Sequence, residues 1–167
     1  EMSKGLVGSE MCIRDRLDIE PIIKSVVDDF NSIYKLKRGI NISYENDGKN
    51  KYLIYGIENR IEQIIANLLD NAISFSDDDK DVIVQVSKSE DNKVYIKILD
   101  EGQGFKEKDT NKIFKRFYSN RPDKFGQHSG LGLNIVKNLV DLHNATIKAT
   151  NRQDKKGASM EIEFPKV

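Results

Sequence analysis

Apolar residues recur at Ile19, Ile22, Ile23, Val26, Val27, Phe30 and Ile33. That spacing predicts a helix over Leu17 to Lys37. Pro21 falls in its first turn, where a missing N–H costs nothing, and Gly39 supplies a stop. Ile40 to Tyr44 alternates as a strand does, and Asn46, Asp47 and Gly48 form a turn signal. Lys51 to Tyr55 reads as a short strand, and Glu58 to Phe75 as a long helix. Ser76 to Asp81 is an acidic loop, followed by strands at Val82 to Ser87 and Val94 to Leu99. Gly102 to Ser129 has no sustained period. Gly130 to His143 reads as a helix, and Ala145 to Thr150 and Ser159 to Phe164 as closing strands around a Lys155-Lys-Gly157 turn.

Strands therefore arrive in adjacent pairs, separated by single helices. That order argues for an α+β fold: two layers, a mixed and mainly antiparallel sheet, and helices on one face. A doubly wound parallel sheet would alternate strand and helix. The long segment from Gly102 is expected to be functional, as a lid, because structureless loops of that length are rare inside small domains.

Composition narrows the class. The chain has 167 residues, no formal net charge and 38% hydrophobic content, which suits one globular domain with a real core. Balanced charge gives no reason to expect nucleic acid as the main partner. The single cysteine, Cys12, excludes an internal disulfide framework. No apolar run approaches the ~20 residues that span a bilayer, so no direct membrane contact is expected of this piece. Glu1 to Arg16 lacks a clear period, and its GLVGSEMCIRDR string resembles translated sequencing-adapter read-through. Residues 1–16 are read as a non-native or disordered tail, with a natural flexible tail as the alternative.

Four segments carry candidate chemistry. On the Glu58–Phe75 helix, Ile61, Ile64, Ile65, Leu68, Ala72 and Phe75 form an apolar stripe, and Arg60, Gln63, Asn67, Asn71 and Ser74 a polar one beside it. Asn67 and Asn71 stand one turn apart. Two amide oxygens, with phosphate oxygens and waters, suit Mg²⁺; a solvated helix face fits the same pattern. Asp100-Glu-Gly102-Gln-Gly104 follows an apolar strand. Its carboxylate could accept from an exocyclic amino group while the glycines clear space for a ring, or the segment is a tight acidic turn. Gly126-Gln-His-Ser-Gly130-Leu-Gly132-Leu leads into a helix, an arrangement suited to holding phosphate at unpaired backbone amides, or simply a glycine-rich turn before a helix. Within the long loop, Phe114, Phe117 and Tyr118 could anchor a lid while Lys115 and Arg116 reach phosphates. A short amphipathic helix fits there equally. No GxxxxGK[ST] loop or dinucleotide glycine pattern is present, and His128 and His143 lack metal-ligand spacing. His143 is read as a helix-end residue.

These segments, in this order from about Leu17 to Val167, resemble the ATP-binding domain of sensor histidine kinases, within the wider family of gyrase, the Hsp90 chaperones and MutL. Asn67-Leu-Leu-Asp-Asn71-Ala resembles that family's asparagine box, and Asp100-Glu-Gly102-Gln-Gly104 its first glycine box. Phe114-Lys-Arg-Phe117 resembles its phenylalanine box, and Gly126 to Leu133 its second glycine box. The resemblance implies a Bergerat-type sandwich that takes ATP and Mg²⁺. Asn67 and Asn71 would hold Mg²⁺, Phe75 would flank the adenine, and Asp100 would accept from its amino group beside Gly102 and Gly104. Arg116 and Gln127 would contact the γ-phosphate. Phe114, Ser129, Gly130, Leu131, Gly132 and Leu133 would complete the site, and residues 102–129 would form the lid.

The resemblance also implies partners. The γ-phosphate would go to a histidine on a dimerisation domain absent from this chain and then to a response regulator, in the cytoplasmic part of an inner-membrane sensor kinase. Alone, the fragment is expected to be monomeric and inactive. Two departures matter. Serine stands at position 74, where many relatives carry Lys or Arg, so a phosphate contact there is in doubt. Asn67 stands where the gyrase and MutL branch has a water-activating glutamate; an amide cannot be a general base, so little hydrolysis is expected. An anti-sigma-type serine kinase or an ATPase module of the same superfamily is the rival.

Overall fold

The computed structural model describes residues 15–49, 51–106, 110–115 and 132–167. It opens on a short strand, β1 (Asp15–Asp18), and not on the helix expected from Leu17. Asp15 and Arg16, expected in the tail, form the first half of β1; residues 1–14 lie outside the described residues. Asp18 ends the strand because it caps helix α1 (Ile19–Arg38). It holds extended backbone angles, and its Oδ1 accepts from the Glu20 amide at 3.2 Å. Gly39 stops α1 at φ 68, with its N–H on Lys35 O, and three basic residues stand in the last turn.

Strand β2 (Asn41–Asn46) follows, then β3 (Leu53–Gly56) and helix α2 (Glu58–Phe75), whose bounds match the sequence reading. Beyond α2 come β4 (Asp81–Lys88), β5 (Val94–Leu99), a short 3-10 helix (Thr110–Phe114), α3 (Gly132–Leu142), β6 (Thr146–Asn151) and β7 (Ala158–Phe164).

The main sheet has the order β2-β4-β5-β7-β6. β2 runs parallel to β4, and the other three pairings are antiparallel, so the sheet is mixed and mostly antiparallel as expected. One local expectation fails: β2 and β3 are neighbours in sequence but not in space. β3 pairs instead with β1, from Asp15 opposite Gly56 to Asp18 opposite Leu53. The chain thus crosses from β2 to its parallel neighbour β4 by way of β3 and α2, the connection that parallel strands need.

Alternation decides which sheet face is covered. Val82, Val84 and Val86 of β4, Val94, Ile96 and Ile98 of β5, and Met160, Ile162 and Phe164 of β7 are buried under the helices. Ile19, Ile23, Val26 and Val27 of α1 and Val136 and Val140 of α3 meet them. Burying each such aliphatic side chain contributes about 1.5–3 kcal/mol, which fixes the register of every strand. The β2 edge is closed by a side chain: Asn31 gives Nδ2 to Ile42 O and takes Ile42 N on Oδ1, both at 2.8 Å, as a peptide would.

Candidate functional site

The last half of α2, the turn after β5, the β6–β7 hairpin and the start of α3 converge. On α2 the polar stripe sinks as it advances. Arg60 is exposed, Gln63 and Asn67 are half-buried, and Asn71 and Ser74 are buried. Asn67 reaches α3 through a long hydrogen bond, Nδ2 to Gly132 O at 3.5 Å. That contact joins the expected asparagine pair to the expected phosphate cradle. It also engages the amide nitrogen of Asn67; an amide oxygen, which can only accept, is a ligand type that suits a hard cation.

Ser74 does not stand on an open polar face. It is 5% exposed and its hydroxyl donates to Asp70 O at 2.7 Å, the back-bond of a buried helix serine. Phe75 differs from the apolar stripe to which its spacing assigned it. It is half-buried and stands apart from the main core cluster of described residues.

Asp100 begins the turn after β5 and is 4% exposed. Its Oδ1 accepts from Gly102 N at 2.9 Å and Ala158 N at 3.0 Å. Among the described residues, none donates to Oδ2. Burial pushes the carboxyl above the ordinary range, and the Gly102 and Ala158 amides and the Arg152 charge pull it back. Oδ1 is therefore saturated by backbone amides.

The glycines of this turn have reasons of their own. A Cβ on Gly102 would lie 2.4 Å from Phe75 O, so the turn rests on the end of α2. Gly104 has φ +79, and a Cβ there would lie 2.6 Å from Asn151 Oδ1. Close chain-to-chain approach requires both, whatever space a ring also needs.

Several residues that build this corner carry no sequence signal. Asn151 clamps the turn to β6, taking Phe105 N on Oδ1 at 2.6 Å and giving Nδ2 to Phe105 O at 3.2 Å. Arg152 donates Nη1 to Asp100 O at 3.1 Å, and its backbone N–H to Gly157 O at 2.9 Å. Gly157 lies against Asp100, where a Cβ would sit 2.0 Å from the carbonyl oxygen. Arg38 caps α2 from a distance, with Nη1 on Ile73 O and Nη2 on Ser76 O at 2.7 and 2.6 Å. α2 has no basic residue in its own last turn.

On the far side, Ile113 and Phe114 are buried in the core cluster, while Lys112 and Lys115 are exposed. Asn134 Nδ2 holds Phe114 O at 3.2 Å, which ties the 3-10 helix to α3. Phe114 is thus an anchor of the segment expected to be the lid. Gly132 has open space where its side chain would be, and Leu133 packs on the core. The first-turn amides of α3 begin there, without intrahelical partners. Arg116, Gln127, Ser129, Gly130 and Leu131 lie outside the described residues, as do Phe117, Tyr118 and His128.

His143 is structural. It is 1% exposed, with Nδ1 at 2.7 Å from Leu139 O and Nε2 accepting from Ile57 N at 3.2 Å. This assigns the neutral ring with the proton on Nδ1. Among the described residues, no helix is long and apolar enough to cross a membrane.

Comparisons with known proteins converge on one family. Residues 56–167 match the family model described as histidine kinase-, DNA gyrase B-, and HSP90-like ATPase. The sensor protein ChvG of Agrobacterium fabrum is 35% identical over 148 residues, which cover 84% of this chain and 25% of that protein. The chain thus spans about a quarter of the length of this relative. The nucleotide-free catalytic domain of histidine kinase ThkA superposes with a TM-score of 0.79 at 25% identity, over 92% of this chain and 95% of that one. ThkA solved in complex with response regulator protein TrrA superposes with a TM-score of 0.74 at 21% identity, over 92% of this chain and 42% of that one.

Proposed function

Because this chain belongs to the histidine kinase-, DNA gyrase B- and HSP90-like ATPase family, with sensor histidine kinase domains among its relatives, we propose that it binds Mg-ATP and presents the γ-phosphate to a histidine on a separate dimerisation domain. One observation carries the reading. Asp100 follows strand β5 with Oδ1 saturated by two backbone amides, and among the described residues none donates to Oδ2. An adenine amino group is the complementary donor. Phe75, half-buried beside Gly102, would flank the ring.

Asn67 and Asn71 would hold Mg²⁺, which offsets triphosphate charge when bound. The amides of Gly130, Leu131, Gly132 and Leu133 would hold phosphate oxygens at the start of α3. Ser129 would close that cradle, and Arg116 and Gln127, on a lid spanning about 102–129, would reach the γ-phosphate. Catalysis would then be positioning and charge stabilisation. Asn67 cannot activate water, so the domain keeps ATP for transfer and hydrolyses little of it.

A response regulator would receive the phosphate from the dimerisation domain. The likeness to ThkA, solved with such a regulator, supports that partner. The module would be a cytoplasmic part of an inner-membrane sensor kinase. The test is transfer in trans. The chain, labelled ATP and the dimerisation domain of ChvG should give acid-labile, Mg-dependent label on histidine. ATP binding without any label on histidine would reduce the module to a nucleotide-binding one.

A further inference from the structure

Arg152 is an arginine that a hairpin has no evident reason to bury. Its side chain is 4% exposed, although it stands between β6 and an exposed stretch, Gln153 to Lys156. Each of its three nitrogens donates a hydrogen bond. Nε and Nη2 meet the two Asp154 oxygens at 3.0 and 2.8 Å, and Nη1 meets Asp100 O at 3.1 Å. A planar fork is held edge-on by one carboxylate and aimed at one main-chain carbonyl. The same carbonyl has Gly157 against it, with no space for a Cβ. Asp100 N meanwhile donates to Ala158 O at 3.0 Å. The Asp100 peptide is thus gripped on both sides, which fixes the turn that brings Gly102 N onto Oδ1.

We infer that Arg152, braced by Asp154, is a positioning residue for base recognition: it orients the Asp100 main chain so that the second carboxylate oxygen is held for the nucleotide base. The inference rests on Asp100 being the base acceptor. Charge adds a second effect. Burial raises the Asp100 carboxyl, and Arg152 is the charge that opposes it. Other charged groups around the turn form pairs among the described residues. Glu101 meets Lys155 at 3.7 Å, Asp154 meets Arg152, and beyond the end of α2 Arg38 meets Asp78 at 2.7 Å. The neighbours on β5 and β7, Leu99, Ala158 and Ser159, carry no charge. Arg152 therefore extends downward the pH range over which Oδ2 is a carboxylate.

The experiment uses the full chain with Arg152→Gln, Arg152→Lys, Asp154→Asn and Asp100→Asn. ATP affinity is measured by calorimetry from pH 5 to 8.5. The Asp100 carboxyl is followed by carbon NMR without nucleotide. Arg152→Gln should weaken ATP binding about tenfold at neutral pH and move its acid limb to higher pH. Arg152→Lys should return the limb toward the parent position while affinity stays intermediate. Asp154→Asn, which keeps the charge and loosens the brace, should cost affinity with little movement of the limb. A merely structural arginine would lower the melting temperature and leave the limb in place. An unmoved limb and unmoved carbon titration in Arg152→Gln overturn the inference, while a defective Asp100→Asn keeps the acceptor reading. Parent-like affinity in Asp100→Asn overturns the acceptor reading and this inference with it.

Discussion

Replacing Asp100 with Asn changes one atom's chemistry at a site whose geometry dictates the outcome. The two amides of Gly102 and Ala158, at 2.9 and 3.0 Å from Oδ1, both need an acceptor. The asparagine oxygen must therefore take the Oδ1 place, and its NH2 group falls where Oδ2 was. An adenine amino group would then meet a donor. The loss is a hydrogen bond to a charged acceptor, about 1.5–3 kcal/mol, plus part of an unsatisfied donor. A total of about 2–4 kcal/mol corresponds to roughly a 30- to 700-fold weaker Kd. Stability should move the other way. The Asp100 carboxyl is raised in the folded protein by burial. The unfolded chain then gives up that proton at lower pH, so the ionised carboxylate costs stability above the folded value and none below the unfolded one. The neutral amide removes that cost. At pH 8 the variant should melt no lower than the parent while binding ATP far more weakly. Calorimetry with Mg-ATP and a thermal melt on the same sample decide it. A Kd within threefold of the parent would refute the reasoning.

Asn67→Ala should weaken Mg-ATP binding and spare ATP binding in EDTA; equal losses in both would reject the metal role. Arg38→Ala strips two hydrogen bonds from the carbonyl end of α2 and should cost about 2–3 kcal/mol in urea unfolding. A change under about 0.5 kcal/mol, the range of an ordinary surface substitution, would deny the cap. Gly157→Ala drives a Cβ to 2.0 Å from Asp100 O at φ +146. It should lower stability by about 3 kcal/mol and ATP affinity with it; parent-like unfolding would show the hairpin can move aside.

Legibility followed the range of the contacts. The bounds of α2 were readable because an apolar stripe repeats through Ile61, Ile64, Ile65 and Leu68, and each of these is buried. The Asn67–Asn71 pair and the Asp100 turn were readable because their parts lie within five residues. β1 was missed because four residues with only Leu17 as a large apolar side chain carry no period. Pairing β2 with β3 failed because nearness in sequence was the only guide, while β1 competed for β3 and β4 for β2. Arg38, Asn151 and Arg152 were invisible for the same reason. Their partners Ile73, Phe105 and Asp100 lie 35, 46 and 52 residues away. The burial of Ser74 within the polar stripe is not readable from sequence, because helix geometry gives direction but not cover. The turn at Gly102 rests on the end of α2, against Phe75 O.

The most direct measurement is calorimetric titration of the chain with ATP, with and without Mg²⁺. The account predicts one nucleotide per chain, bound more tightly with Mg²⁺ than in EDTA and lost in Asp100→Asn. No ATP binding by the parent chain under either condition would contradict it.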